Sequence, residues 1–181
     1  MLGKHLVSQH FANTPKRYSI AFITGCIQPD RNPATYLKGS LRSRLLHGHN
    51  WSNSQRYMNR ICRRLQNRKK LRLLDYYTMG KLIHYTVDAF TFSHNERFTD
   101  NIRTHRRYES HLESRFLRHL TEDNIPELRH SGSVMETINS YHAEYGKKKA
   151  GMSADCKYSI LVSNLVVIML LGNYPLSLPG L

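Results

Sequence analysis

Apolar side chains recur every three to four positions along most of the chain. This spacing is typical of helices with one buried face. No stretch shows the strict two-residue alternation of a half-buried strand, and no internal repeat or low-complexity tract is present. The predicted helices cover residues 4–12, 71–90, 100–120, 134–145 and 155–171, and a further helix follows a cap at Ser52 or Asn53 and runs to residue 66.

Two apolar runs need separate treatment. Residues 18–27, YSIAFITGCI, predict either a buried helix or a strand, and the QPDRNP sequence after them predicts a turn that contains Asp30. Residues 160–171 are too short to span a membrane and include Ser163 and Asn164, so we expect a buried core helix. The sequence thus predicts an all-α single domain over residues 1–181, with five to seven helices around an inward-facing polar site.

Candidate chemistry is concentrated in residues 80–94, GKLIHYTVDAFTFSH. His84 and Asp88 are four positions apart and stack on one helix face, and Gly80 leaves room one turn earlier. The aromatic and β-branched residues before His94 weaken the helix. Imidazole and carboxylate groups are ligands that zinc accepts. Taken alone, however, this spacing favours a structural histidine beside a capping aspartate.

A second pair has the same spacing in the helix predicted for residues 100–120. His105 and Glu109 are again four positions apart. The apolar stripe formed by Ile102, Leu112 and Phe116 places this pair towards the interior. Because a buried carboxylate needs a partner or a metal ion, a purely structural role is less favoured here.

The charge of the chain indicates an anionic partner. Lys and Arg number 27 against 13 Asp and Glu, which gives a net charge of +14. Phosphate esters, an anionic membrane surface and nucleic acid all fit this charge. The N-terminal sequence lacks the pattern of a signal peptide, so we expect a cytoplasmic protein. Three cysteines without a CxxC motif indicate reduced thiols, at Cys26, Cys62 and Cys156.

The order of the ligand-type residues is more specific than any one pair. The segments KHLVSQ, FITGCIQPD, HGHNWSNS, GKLIHYTVDAFTFSHN and HRRYE, within residues 4–110, resemble the zinc-dependent phospholipase C family. That family has an all-α, multi-helix fold, which it shares with single-strand-specific zinc nucleases. The residues in this series are His5, Asp30, His49 (or His47), His84, Asp88, His94, His105 and Glu109.

The resemblance implies a first zinc site and a catalytic residue. Asp30, His49, His84 and Asp88 would bind this zinc ion, with His47 as the alternative to His49. Asp30 would also be the catalytic residue that orients or deprotonates the attacking water.

The resemblance also implies further zinc ions. His94, His105 and Glu109 would bind a second zinc ion, so that two ions are expected. His5, together with Asp88 as a bridge, would contribute to a third. In secreted relatives an N-terminal tryptophan supplies ligands to that third ion, whereas this chain begins with Met1.

The implied activity is hydrolysis of a phospholipid or another phosphodiester by a zinc-activated water, as in a zinc-dependent phosphodiesterase of phospholipase C type. Peripheral contact with an anionic membrane surface would accompany it. A zinc-dependent nuclease is less favoured because no clear set of exposed aromatic residues predicts base stacking. The non-enzymatic alternative is a metal-stabilised helical module that binds anionic lipid or a protein.

Overall fold

The computed structural model describes residues 1–31, 51–94, 102–120, 132–149 and 151–172. These residues form helices and contain no strand, so the predicted all-α class is confirmed. Each predicted helix is present within three residues of its predicted bounds. The described helices are α1 (Leu2–His10), α2 (Lys16–Arg31), α3 (Trp51–Gln66), α4 (Leu73–Ala89), a 3₁₀ helix (Phe92–His94), α5 (Ile102–Leu120), α6 (Val134–Gly146) and α7 (Met152–Leu171).

The apolar run at residues 18–27, which the sequence left open, forms part of a helix. α2 begins at Lys16 and continues to Arg31, with Pro29 inside it. The prediction of a turn that contains Asp30 is therefore wrong. A proline near the end of a helix removes only one backbone donor. The packing of α2 against α4 stabilises the helical conformation of the last residues of α2. Asp30 consequently lies on a helix.

The sequence predicted that the residues before His94 weaken the central helix, and the structure confirms that the helix ends there. α4 ends at Ala89, and the backbone N–H of Phe90 bonds to the carbonyl oxygens of Thr86 and Val87. The 3₁₀ helix Phe92–His94 follows after two residues. His94 therefore belongs to a different element from the two candidate ligands on α4.

The core is built around α4 and α7. α4 packs against α2 and α3, while α7 packs against α6, α5, α4 and α1. Phe22, Leu82, Ile138 and Val162 are fully buried between these helices. Burial of each such side chain stabilises the folded state by about 1.5–3 kcal/mol. The packing of these helices against one another therefore fixes the positions of the polar residues that they carry.

The C-terminal apolar run lies within α7, which is longer than the sequence indicated. The helix has 20 residues, and most of them are buried against the rest of the fold. It is the one helix in the described ranges that is long and apolar enough to cross a membrane, a property that core helices of soluble proteins share. The predicted buried position is confirmed, and the cytoplasmic location stays a prediction.

Candidate metal centre

Two glycines allow α2 and α4 to approach closely. A Cβ atom on Gly80 would overlap the carbonyl oxygen of Phe22, and one on Gly25 would overlap the carbonyl oxygen of Tyr77. Only glycine fits such a crossing without displacing backbone. The room that the sequence predicted beside Gly80 is therefore filled by the backbone of α2.

This crossing brings the end of α2 to His84. The two helices run in the same direction. Phe22 of α2 contacts Gly80 of α4, and four residues further along each helix Cys26 contacts His84. Asp30 lies one turn beyond Cys26. As a result, its carboxylate oxygen Oδ1 lies 3.4 Å from Nε2 of His84.

His84 also contacts the second candidate carboxylate. Oδ2 of Asp88 lies 3.3 Å from Nε2 of His84, so the predicted stacking of this i, i+4 pair is confirmed. Asp88 is buried, whereas the side chain of Asp30 is 65% exposed. One imidazole nitrogen thus faces a buried carboxylate and a solvent-accessible one.

The other ring nitrogen of His84 is bound to the backbone. Nδ1 lies 3.0 Å from the carbonyl oxygen of Cys26. A carbonyl oxygen can only accept, so Nδ1 donates its hydrogen and Nε2 is directed at the carboxylates. A backbone carbonyl on the far nitrogen is also the usual arrangement around a metal-binding histidine.

The carboxylates shift the titration of His84. Burial lowers the pKa of this imidazole, but Asp88, through charge and a hydrogen bond, and Asp30, through charge, raise it more strongly. The resulting pKa is about 9. Without a metal ion, His84 is therefore protonated at neutral pH and forms ion pairs with both acids.

His5 lies near this region but outside the cluster. It belongs to α1, whose residue Gly3 lies close to the side chain of Cys26. Burial lowers the pKa of His5, and the charge of His10 lowers it further. Among the described residues, His5 forms no ion pair with Asp30 or Asp88. Its predicted role at a third zinc ion stays a prediction.

The remaining predicted ligands fall partly or wholly outside the described residues. His47 and His49 lie in residues 32–50, outside the described ranges. His94 ends the 3₁₀ helix, and His105 and Glu109 lie four positions apart on α5, but their side chains are outside the description. The predicted inward position of the α5 pair is therefore untested, although Leu112 and Phe116 of its stripe are buried.

The family of the chain follows from its sequence over most of its length. The sequence model of the zinc-dependent phospholipase C family matches residues 1–152. The chain belongs to this family. No curated protein and no solved structure shows significant similarity to it.

Membership in the zinc-dependent phospholipase C family implies zinc, and the donor atoms around His84 fit that metal. The carboxylates of Asp30 and Asp88 both lie close to Nε2 of the His84 imidazole. Carboxylate and imidazole groups are both zinc ligands. In the part of the chain that the structure describes, no group of three or more ligand side chains is already arranged as a metal site. The described geometry is that of a protonated imidazole between two carboxylates, and the role of these residues as zinc ligands stays a prediction.

Sequence reasoning missed the role of Asp155, a buried acid that lies just beyond the residues that match the zinc-dependent phospholipase C family. Oδ2 of Asp155 accepts the backbone N–H of Phe92 at 2.9 Å and the hydroxyl of Tyr108 at 2.8 Å. Its Oδ1 accepts the hydroxyl of Tyr145 at 2.7 Å. Asp155 thereby joins α7 to α5, α6 and the 3₁₀ helix that ends at His94.

The environment of Asp155 opposes its charge. Burial raises the pKa of this carboxyl, and the hydrogen bonds from Phe92, Tyr145 and Tyr108 partly offset the shift. The available sequence signal was an acidic residue in the first turn of a helix that is otherwise mostly apolar. Its partners could not be found from the sequence because all three come from other elements.

Proposed function

We propose that the protein is a zinc-dependent phosphodiesterase of phospholipase C type that hydrolyses a phospholipid. The observation that supports this proposal is the meeting of Asp30, His84 and Asp88 at one imidazole nitrogen. Membership in the zinc-dependent phospholipase C family supports zinc as the metal and hydrolysis of a phosphodiester as the reaction class.

In this proposal the cluster holds the first zinc ion. His84 would bind through Nε2 after this nitrogen releases the proton that it carries in the metal-free form, because its Nδ1 is already used by the carbonyl oxygen of Cys26. Asp88 is fixed by burial one helical turn away. The ion pairs of the metal-free form place both carboxylates beside the nitrogen before any metal arrives, which lowers the entropy cost of assembling the ligands.

Asp30 is proposed as the catalytic residue. Its exposed carboxylate can accept a proton from a water molecule at the solvent boundary of the cluster. The bound zinc would supply Lewis-acid polarisation of the phosphate and of water. His49 would complete the first ligand set, and His94, His105 and Glu109 would form the second; these assignments are predictions from the sequence.

The charge of the protein favours the proposed substrate. A net charge of +14 raises the local concentration of anionic phosphodiesters around the molecule. It also favours polynucleotides, so the substrate experiment must include a nucleic acid.

The test compares the wild-type protein with a His84→Ala/Asp88→Ala variant. Both are purified without chelator, and zinc is measured by mass spectrometry alongside hydrolysis of phosphatidylcholine vesicles, bis-p-nitrophenyl phosphate and single-stranded DNA. We expect the wild type to contain more than one zinc ion per chain and to cleave the first two substrates. The variant should lose most of the zinc and more than about 100-fold of the activity.

A His111→Ala variant is the control, because His111 is exposed on α5 and lies outside the predicted ligand set. It should retain zinc and activity. Zinc-loaded wild-type protein that cleaves none of the three substrates would contradict an enzymatic role. Preferential cleavage of DNA would instead support a nuclease.

A further inference from the structure

A basic segment with exposed leucines connects α3 to α4. Residues 67–72 form this connection, and Leu73 and Leu74 begin α4. These leucines are 43% and 68% exposed, which makes them the only adjacent pair of exposed large apolar side chains among the described residues. The exposed cations immediately before them are Arg68, Lys69, Lys70 and Arg72.

A cleft of about 690 Å³ opens beside this segment. Its basic side chains are those of Arg17, Arg68, Lys69 and Lys70, and its lining also includes Leu65, Leu71 and the last turn of α7. Among the described residues, none of those that line the cleft is acidic. A cleft with cations and apolar side chains suits a molecule that joins a phosphate to an apolar chain.

Little of this positive charge is neutralised nearby. Asp75 forms ion pairs with Arg64 and Arg68, at 3.4 and 3.6 Å. In the described part of the chain no carboxylate pairs with Lys69 or Lys70. These two lysines are therefore available to an external anion.

We propose that this surface docks the protein onto an anionic lipid bilayer. The docking face consists of Arg17, Arg68, Lys69, Lys70, Arg72, Leu73 and Leu74. The leucines would enter the interface between headgroups and acyl chains, while the cations contact lipid phosphates. The exposed leucine pair favours a bilayer over a polynucleotide, because phosphate contacts with nucleic acid do not use aliphatic side chains.

The docking face is separate from the candidate metal centre. Leu74 and His84 are ten residues apart on α4, which corresponds to about 15 Å along the helix axis. None of the docking residues belongs to the predicted ligand set. The proposal therefore goes beyond the proposed function, and it holds whether or not the protein hydrolyses lipid.

The experiment measures flotation of the full chain with two kinds of vesicle, phosphatidylcholine alone and phosphatidylcholine mixed with phosphatidylglycerol. We expect much tighter binding to the anionic vesicles than to phosphatidylcholine alone. Lys69→Ala/Lys70→Ala should weaken that binding about 30-fold, at about 1 kcal/mol for each lysine. Leu73→Ser/Leu74→Ser should weaken binding at low and at high salt, because the loss of apolar contact with the bilayer is not screened by ions.

The matched control is Lys147→Ala/Lys148→Ala, which removes two exposed lysines at the end of α6. It should bind within about threefold of the wild type, since the lost charges lie outside the docking face. Circular dichroism melts verify that each variant is folded. Equal losses in the lysine variant and the control would overturn the proposal and indicate non-specific attraction. Binding of single-stranded RNA without binding of anionic vesicles would overturn it in favour of a polynucleotide.

Discussion

Oδ1 of Asp30 lies 3.4 Å from Nε2 of His84, although the two residues belong to different helices. The contact depends on the parallel crossing of α2 and α4 at Gly25 and Gly80. A rigid crossing fixes how far the two helices are shifted along each other. This shift brings Asp30, the one acid of α2, to the imidazole. The geometry of the cluster is thus a consequence of backbone packing about one helical turn away.

The two carboxylates should contribute unequally to the pKa of His84. Asp88 raises it more than Asp30 does, through charge and a hydrogen bond. Asp88→Asn should therefore lower the pKa from about 9 by more than Asp30→Asn does. An NMR titration of the imidazole in chelator-treated protein measures both shifts. Equal shifts would contradict the stronger effect of Asp88, and no shift in either variant would show that the ion pairs do not form in solution.

The metal-free protein should lose stability as pH rises. The pKa of His84 is raised from 6.5 to about 9 in the folded protein, so its contribution is complete below pH 6.5 and is lost as pH approaches 9. The loss should be on the order of 2 kcal/mol, because the folded state binds the proton more tightly than the unfolded state. Urea unfolding of chelator-treated protein over this range measures it. In His84→Gln this part of the pH dependence should be absent.

An alanine at the helix crossing should destabilise the fold. In Gly80→Ala the new Cβ atom meets the Phe22 carbonyl oxygen and would lie 3.0 Å from Cα of Gly25, so backbone must move. We expect the free energy of unfolding to fall by about 2–3 kcal/mol. The contact between Asp30 and His84 should lengthen as α2 shifts, which would lower the pKa of the imidazole.

Gly146→Ala is the matched control for this substitution. A Cβ atom at that helix end meets no atom of the described residues within 4 Å. The substitution should leave stability unchanged or raise it by up to about 1 kcal/mol, since alanine has less backbone freedom in the unfolded chain. A Gly80→Ala variant as stable as this control would show that the crossing is looser than the structure indicates.

Removal of the buried acid on α7 should affect several elements together. Asp155→Ala leaves the N–H of Phe92 and the hydroxyls of Tyr108 and Tyr145 without their shared acceptor. Unfolding should become easier by about 3 kcal/mol, because three hydrogen bonds to one carboxylate are lost and the buried hydroxyl of Tyr145 is among their donors. Urea unfolding measures this loss, and hydrogen exchange should show faster exchange of the Phe92 amide.

Tyr158→Phe provides the comparison. The hydroxyl of Tyr158 donates to Oε1 of Glu144 at 2.5 Å, so this variant also breaks a tyrosine–carboxylate bond between α6 and α7. Glu144 is exposed and can bond to water instead, so we expect a loss of about 1 kcal/mol. If Asp155→Ala costs no more than this control, Asp155 does not join the elements as the structure indicates.

Periodicity alone predicted the helices, because each has an apolar face whose spacing survives in the sequence. It could not decide the run at residues 18–27, which is apolar on too many sides to show a period. It also misplaced the end of that element, since Pro29 is a strong turn signal that packing against α4 overrides. Local signals fail where a long-range contact supports the backbone.

For the candidate site, the sequence by itself determined the family and the pairing of His84 with Asp88, because residues four apart on a helix must meet. The tertiary structure decided that Asp30 joins them, that Cys26 orients the imidazole, and that Asp155 binds Phe92, Tyr108 and Tyr145. These contacts join separate helices. Their geometry is set by how closely the helices pack, and that depends on side-chain volumes across the whole core.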